Sequence, residues 1–316
     1  MGYDLWPRPV RLRSFAGKVM RLSDDVRTTV GFIGHVGTNG AFSAIGTGFL
    51  LVYKRHRYFV TNKHIAVAIG EDPFAIRFTD AAANSLNIHV DPLEHDAPWM
   101  CSEDEDVDLA IISFNVDLEG QGCRMLSLPE NMILTDQQIE WNSIGAGDLC
   151  YAVGLFRLMA GRDRNIPFVH TGHIGVMATE ERVPILDWDR PGATREIEAH
   201  LVQMQNLRGL SGAPVFVRPA LTGNVNIIGE EDATLVSHRR KIFLLGVWQG
   251  SWEAPPSHAS IVEQGGAVRV PVGVGVVVPA RRLIETLELP EAIRRRRDFE
   301  ENLKLRMAAK GDAHEP

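Results

Sequence analysis

The chain has 316 residues, 45% of them hydrophobic and 23% charged, with a formal net charge of −7. That length and composition suit a globular protein with one large core or two small ones, and the acidic balance gives no electrostatic case for nucleic acid as a partner. Cys101, Cys123 and Cys150 have no paired spacing for a zinc, redox or disulfide framework, so a reducing compartment is expected.

Residues 1–24 read as a basic lead-in. Apolar, β-branched runs then predict strands at Thr28–Val36, Ile45–Val52 and Tyr58–Thr61, followed by a helical turn from His64 to Ile69. Further strands are expected near Phe74–Phe78, Asn87–Val90 and Leu109–Phe114, with the acidic stretch 91–106 as a surface loop. The pattern weakens over 115–146, where two halves would join. The second half offers strands at Cys150–Val153, Val169–Met177, Ala199–Met204, Pro214–Val217, Phe243–Gln249 and Gly275–Val278. Between them, 180–197, 229–240 and 252–267 read as long polar insertions, which on a β scaffold usually carry recognition. Arg281–Leu287 and Ala292–Ala309 lack Gly and Pro and read as helices. Arg294–Arg297 is expected to be a solvated helix face with (i, i+4) pairs to Asp298, Glu300 and Glu301.

Three segments carry chemistry. Gly209-Leu210-Ser211-Gly212-Ala213-Pro214 places a serine between glycines in a tight bend. Such a bend exposes the hydroxyl and can aim the N–H groups of Gly209 and Ser211 at one point, where they would hold an oxyanion. In Tyr58-Phe59-Val60-Thr61-Asn62-Lys63-His64 an apolar run ends in a histidine, a candidate base. In Asp106-Val107-Asp108-Leu109-Ala110 a carboxylate precedes an apolar strand. Asp106 and Asp108 would share one face if that segment were extended. Taken singly, each has a bland reading as a structural histidine, a strand-capping carboxylate or a turn serine.

In the order His64, Asp108, Ser211, these segments resemble the trypsin/chymotrypsin-fold serine peptidases, closest to the bacterial HtrA-like branch. Gly46-Thr47-Gly48-Phe49-Leu50, Gly147–Gly154, Gly172–Val176 and Gly273–Pro279 are similar to further strands of that branch. The resemblance covers roughly residues 25 to 287. It implies an all-β fold: two six-stranded antiparallel barrels, chymotrypsin-like, with a C-terminal α-helical extension. The implied division is 1–24 lead-in, 25–135 first barrel, 136–280 second barrel and 281–316 helical extension.

The resemblance also implies a serine endopeptidase with Ser211 as nucleophile, His64 as base, Asp108 (directly before Leu-Ala) as orienter, and an oxyanion hole from Gly209 and Ser211. No metal or organic cofactor is expected. A primary pocket would form from residues near Gln205, Arg208, Trp248, Gln249, Gly250 and Gly275. Gln205 stands where a carboxylate would select basic substrates, so a neutral or small apolar side chain is expected. Leu210 and Ala213 depart from the family pattern, which has Asp or Asn and Gly there. Activation by trimming a new N-terminus is thereby disfavoured.

Too few residues follow Leu287 for a PDZ-like domain. Residues 1–22 lack the apolar segment of a signal peptide, and the apolar stretch around Val268–Ala280 contains Arg269 and is too short for a bilayer. A cytoplasmic protein acting on a protein or peptide is expected, with no membrane or nucleic-acid partner. Restraint by a regulatory partner, a homo-oligomer or an unformed oxyanion hole is the expected control. The competing readings are a catalytically silent scaffold on the same fold and an α/β-hydrolase esterase. The latter needs Gly-x-Ser-x-Gly and a histidine last in the chain.

Overall fold

The computed structural model describes residues 22, 24–79, 85–94, 96–114, 126–161, 164–186, 193–205, 208–220, 242–253 and 271–311. Most of the expected lead-in, Cys123, the segment 229–240 and most of 252–267 lie outside the described residues.

A short helix, α1 (Asp24–Thr28), leads into β1 (Val30–Val36), β2 (Phe42–Tyr53) and β3 (His56–Thr61). Helix α2 (Lys63–Ile69) follows, then β4 (Phe74–Thr79), β5 (Ser85–Val90), β6 (Met100–Cys101) and β7 (Ala110–Ser113). These strands pair in the order β5-β4-β1-β2-β3-β7-β6, with β8 (Leu128–Pro129) alongside β2. The sheet rolls up. Phe78 on β4 and Phe114 beyond β7 stand four strands apart in that order, yet their rings meet at 5.9 Å.

Period-two alternation explains the uninterrupted apolar runs. Ile33, Leu50, Phe59, Ile76, Ile88 and Ile112 point into the roll. Their neighbours Phe32, Phe49, Leu51, Tyr58, Val60 and Ile111 point outward into a larger core shared with the second half. A strand buried on both faces has no use for polar alternation.

Helix α3 (Asp136–Trp141) begins at Thr135, which forms a reciprocal capping box with Gln138. It leads to β9 (Leu149–Gly154) and β10 (Phe168–Val176). After them come β11 (Val183–Leu186), β12 (Thr194–Ile197), β13 (His200–Gln203), β14 (Pro214–Arg218), β15 (Phe243–Glu253) and β16 (Pro271–Pro279). Six of these close an antiparallel barrel in the order β10-β13-β16-β15-β14-β9. The expected all-β class with a helical extension is therefore observed. Two stretches are more structured than expected. The 180–197 segment contains the β11–β12 hairpin, and the acidic loop contains β6. Strands of two to four residues are too short to reveal their period.

Helices α4 (Ala280–Leu287) and α5 (Pro290–Gly311) pack back over the sheet. The arginine run is not one solvated face. Arg296 is 7% exposed and donates to the Tyr58 hydroxyl at 3.0 Å and the Leu287 carbonyl at 2.6 Å. Glu300 contacts His56 instead of Arg296, while Arg294 does pair with Asp298. The helical period turns Arg296 inward, while Arg294 and Arg297 stay exposed and Arg295 is partly covered against Asp96.

The halves are also joined by Arg77, 6% exposed. Its guanidinium donates to Asn165 Oδ1 at 2.6 Å and to the Ala160 carbonyl at 3.2 Å, and it faces the Phe42 ring at 4.7 Å.

His200 on β13 is 3% exposed and accepts from the Ala178 N–H through Nδ1 at 3.1 Å. Burial, aided by the nearby Arg281 charge, pushes its imidazole down to about 4. The unfolded chain therefore binds a proton that the folded chain refuses between pH ~6.5 and ~4. Stability should fall with pH through that window, by about 3 kcal/mol from this group. Urea titrations at pH 7, 5.5 and 4 should show a shallower loss for His200→Gln than for wild type.

Candidate active site

Asn62 caps α2 with its backbone extended, and His64 follows in the first turn, where N–H groups have no helical partner. Asp108 supplies one. Its Oδ1 accepts from the His64 backbone N–H at 2.9 Å, and its Oδ2 meets His64 Nδ1 at 2.7 Å. A carboxylate only accepts, so the ring proton sits on Nδ1 and Nε2 is left as the basic nitrogen. The Asp108 carbonyl takes the Asn62 side-chain amide at 2.8 Å. The Asp108 side chain is 13% exposed and that of His64 48%, so a covered carboxylate holds an imidazole open to solvent.

Asp106 goes elsewhere. Its carboxylate pairs with Arg182 at 2.7 Å, beside Arg195. The segment is not extended. Val107 N–H bonds Asp104 O, and Leu109 N–H reaches back to Val107 O at 3.0 Å. That tight turn centred on Asp108 breaks the shared face and separates the two carboxylates.

Ser211 lies in the loop before β14. Its backbone carbonyl accepts from Thr47 N–H at 2.9 Å, and Gly46 separates it from Ile65, the neighbour of His64. The loop reaches β2 because Gly212 has no side chain. A Cβ there would stand 2.0 Å from Thr47 O and 2.4 Å from Thr61 Oγ1, at a φ of +84°. Leu210 is fully buried, so an apolar side chain anchors the loop. The methyl of Ala213 is accommodated by Gly154, where a Cβ would come within 2.9 Å of it.

Every carbonyl from Arg208 to Ser211 has a partner: Arg157 N–H, Thr47 Oγ1, Ala213 N–H and Thr47 N–H, in chain order. Among the described residues, the N–H groups of Gly209 and Ser211 donate to nothing. A trans peptide points its N–H opposite its C=O. With Arg208 O drawn to Arg157, the Gly209 N–H is turned the other way. The Ser211 hydroxyl donates to Gln249 O at 3.4 Å and, among the described residues, makes no hydrogen bond to the His64 ring.

The remaining pocket candidates separate. Gln205 and Arg208 are exposed. Trp248 is 1% exposed in the barrel core, and its ring covers Gly275, where a Cβ would meet Cη2 at 2.0 Å. It contributes backbone: Trp248 O accepts from Gly212 N–H at 3.0 Å. Gln249 is buried and presents its carbonyl to Ser211, and Gly250 borders open space. Asn62 and Thr47 were not singled out as functional in the sequence. Both stand inside quoted motifs, but their partners are distant in the chain.

Gly212→Ala should cost more than ~2 kcal/mol, from both positive φ and collision with backbone. Urea unfolding of the purified variant measures it, and an unchanged midpoint would contradict the close approach.

No family model matches the chain, and no curated protein does. Among solved structures, the chain is similar to Rv3671c from M. tuberculosis H37Rv. A serine-to-alanine mutant in the inactive form aligns at 15% identity and a TM-score of 0.43, over 84% of this chain and 87% of that one. The Rv3671c protease in its active form aligns at 14% identity and a TM-score of 0.46, over 84% and 81%.

Proposed function

We propose that the protein is a serine endopeptidase working through an acyl-enzyme. One observation carries this reading. A histidine is oriented by a covered carboxylate, its neighbour Ile65 and the Ser211 carbonyl both border Gly46, and among the described residues the carbonyls from Arg208 to Ser211 are tied while the Gly209 and Ser211 N–H groups are unclaimed. Ser211 Oγ attacks the substrate carbonyl as His64 Nε2 takes its proton. Asp108 stabilises the imidazolium, and the Gly209 and Ser211 N–H groups hold the oxyanion. His64 then protonates the leaving amine as the C–N bond breaks. Water, deprotonated by His64, releases the acyl group.

Gln205 stands where the resemblance puts the selecting residue, and its neutral side chain supports a small uncharged substrate side chain beside Ser211. The fixed Arg208–Gly209 peptide argues against restraint by an unformed oxyanion hole and leaves a partner or oligomer as the restraint. The silent-scaffold reading is favoured by one contact, the turn of the Ser211 hydroxyl to Gln249 O. The hydroxyl must leave it for His64 before attack.

Intact-mass labelling with a fluorophosphonate separates the two. The Oγ–P bond forms, fluoride leaves, and His64 receives the proton. Wild type should take one adduct and Ser211→Ala none. Asp108→Asn should label more slowly by on the order of 10³–10⁴. An unlabelled wild type would count against an activated Ser211 in the isolated chain.

A further inference from the structure

Thr47 belongs to β2 in the first half, yet its side chain ends in the serine loop of the second. It is fully buried. Its Oγ1 accepts from Leu155 N–H at 2.9 Å and donates to Gly209 O at 2.7 Å. A hydroxyl has one proton, and a backbone N–H can only donate. The proton is therefore committed to Gly209. The Thr47 N–H holds Ser211 O at 2.9 Å, and its carbonyl takes the Thr61 hydroxyl at 2.7 Å. A β-branched side chain in a strand has few χ1 choices, which keeps the hydroxyl aimed.

We propose that Thr47 is a positioning residue of the oxyanion site. Its hydroxyl fixes the Gly209–Leu210 peptide, the link between the two peptides that carry the Gly209 and Ser211 N–H groups, and so keeps those two donors in register with each other. The inference rests on the peptidase reading above. Gly209 has a φ of +109° and no side chain to limit its swing. Leu155 crowds the outer side of Gly209, where a Cβ would come within 2.8 Å. The Arg157 N–H holds the preceding peptide. The peptide after Gly209 has the Thr47 hydroxyl as its tether. Donors assist a developing charge most when fixed beforehand. Because the tether arises in one half and the loop in the other, docking of the halves completes the site.

Fluorophosphonate inactivation needs no knowledge of the natural substrate. It divides into a binding constant KI and a limiting rate kinact, and only the second reads stabilisation of the phosphonyl oxygen. Thr47→Val keeps shape and removes the hydroxyl. It should lower kinact about 10- to 100-fold, less than the ~10²–10³ of a lost donor. KI should stay within about twofold. Thr47→Ser, which restores the hydroxyl, should recover kinact to within about threefold of wild type. Circular dichroism at the assay temperature confirms that each variant is folded.

An unchanged kinact in folded Thr47→Val would overturn the proposal, as would a loss confined to KI. Should Thr47→Val not fold, Thr47→Ser carries the test alone, and a loss above about tenfold in the folded Ser variant overturns it. A wild type that takes no label removes the activated Ser211 of the isolated chain on which the inference rests. A labelled wild type with an insensitive Thr47 removes only the positioning role.

Discussion

Gly212 meets Thr47 backbone to backbone, and the geometry of the site depends on that approach. No L-residue with a side chain fits between the loop and β2 at this point. The contact sets Ser211 O on Thr47 N–H and brings Ser211 alongside Gly46 and Ile65. Thr61, whose hydroxyl holds the Thr47 carbonyl, is the last residue of β3, three before His64. One close approach thus places the proposed nucleophile relative to the proposed base. Hydrophobic burial supplies its driving force. Leu210, Ala213 and Trp248 from the loop and barrel share a core with Phe49, Leu51 and Val60 from the first sheet. Each such large side chain contributes about 1.5–3 kcal/mol when buried.

The two carboxylates before β7 differ in fate for a local reason. A turn at Asp108 aims it at His64, with two hydrogen bonds to its carboxylate and one to its carbonyl. Asp106 reaches Arg182 in the second half through an exposed pair, and such pairs contribute little. The loop carrying Asp108 is held chiefly by Asn62 and by the β6–β7 pairing.

The C-terminal helices are part of the fold and not an appendage. Arg296 is buried against Tyr58, whose hydroxyl it reaches from outside the first sheet. Burial raises the Tyr58 phenol, partly offset by that guanidinium. Leu283 and Leu287 of α4 enter the shared core, so the helical extension closes the outer face of the sheet.

Much of the architecture was legible in the chain. Apolar runs located most strands of both halves, because a buried strand must be apolar whatever its neighbours. The Gly-Leu-Ser-Gly bend announced a loop that only glycine can form. The His64, Asp108 and Ser211 segments were each visible, since local turn and cap chemistry is written in adjacent residues. Other features needed the tertiary structure. The choice of Asp108 over Asp106 by geometry depends on a turn. The burial of Trp248 and Arg296 depends on which face meets a neighbour. The tether from Thr47 to Gly209 spans 162 residues of sequence. A contact of that range has no local signature, because its energy exists only once both halves are folded and docked.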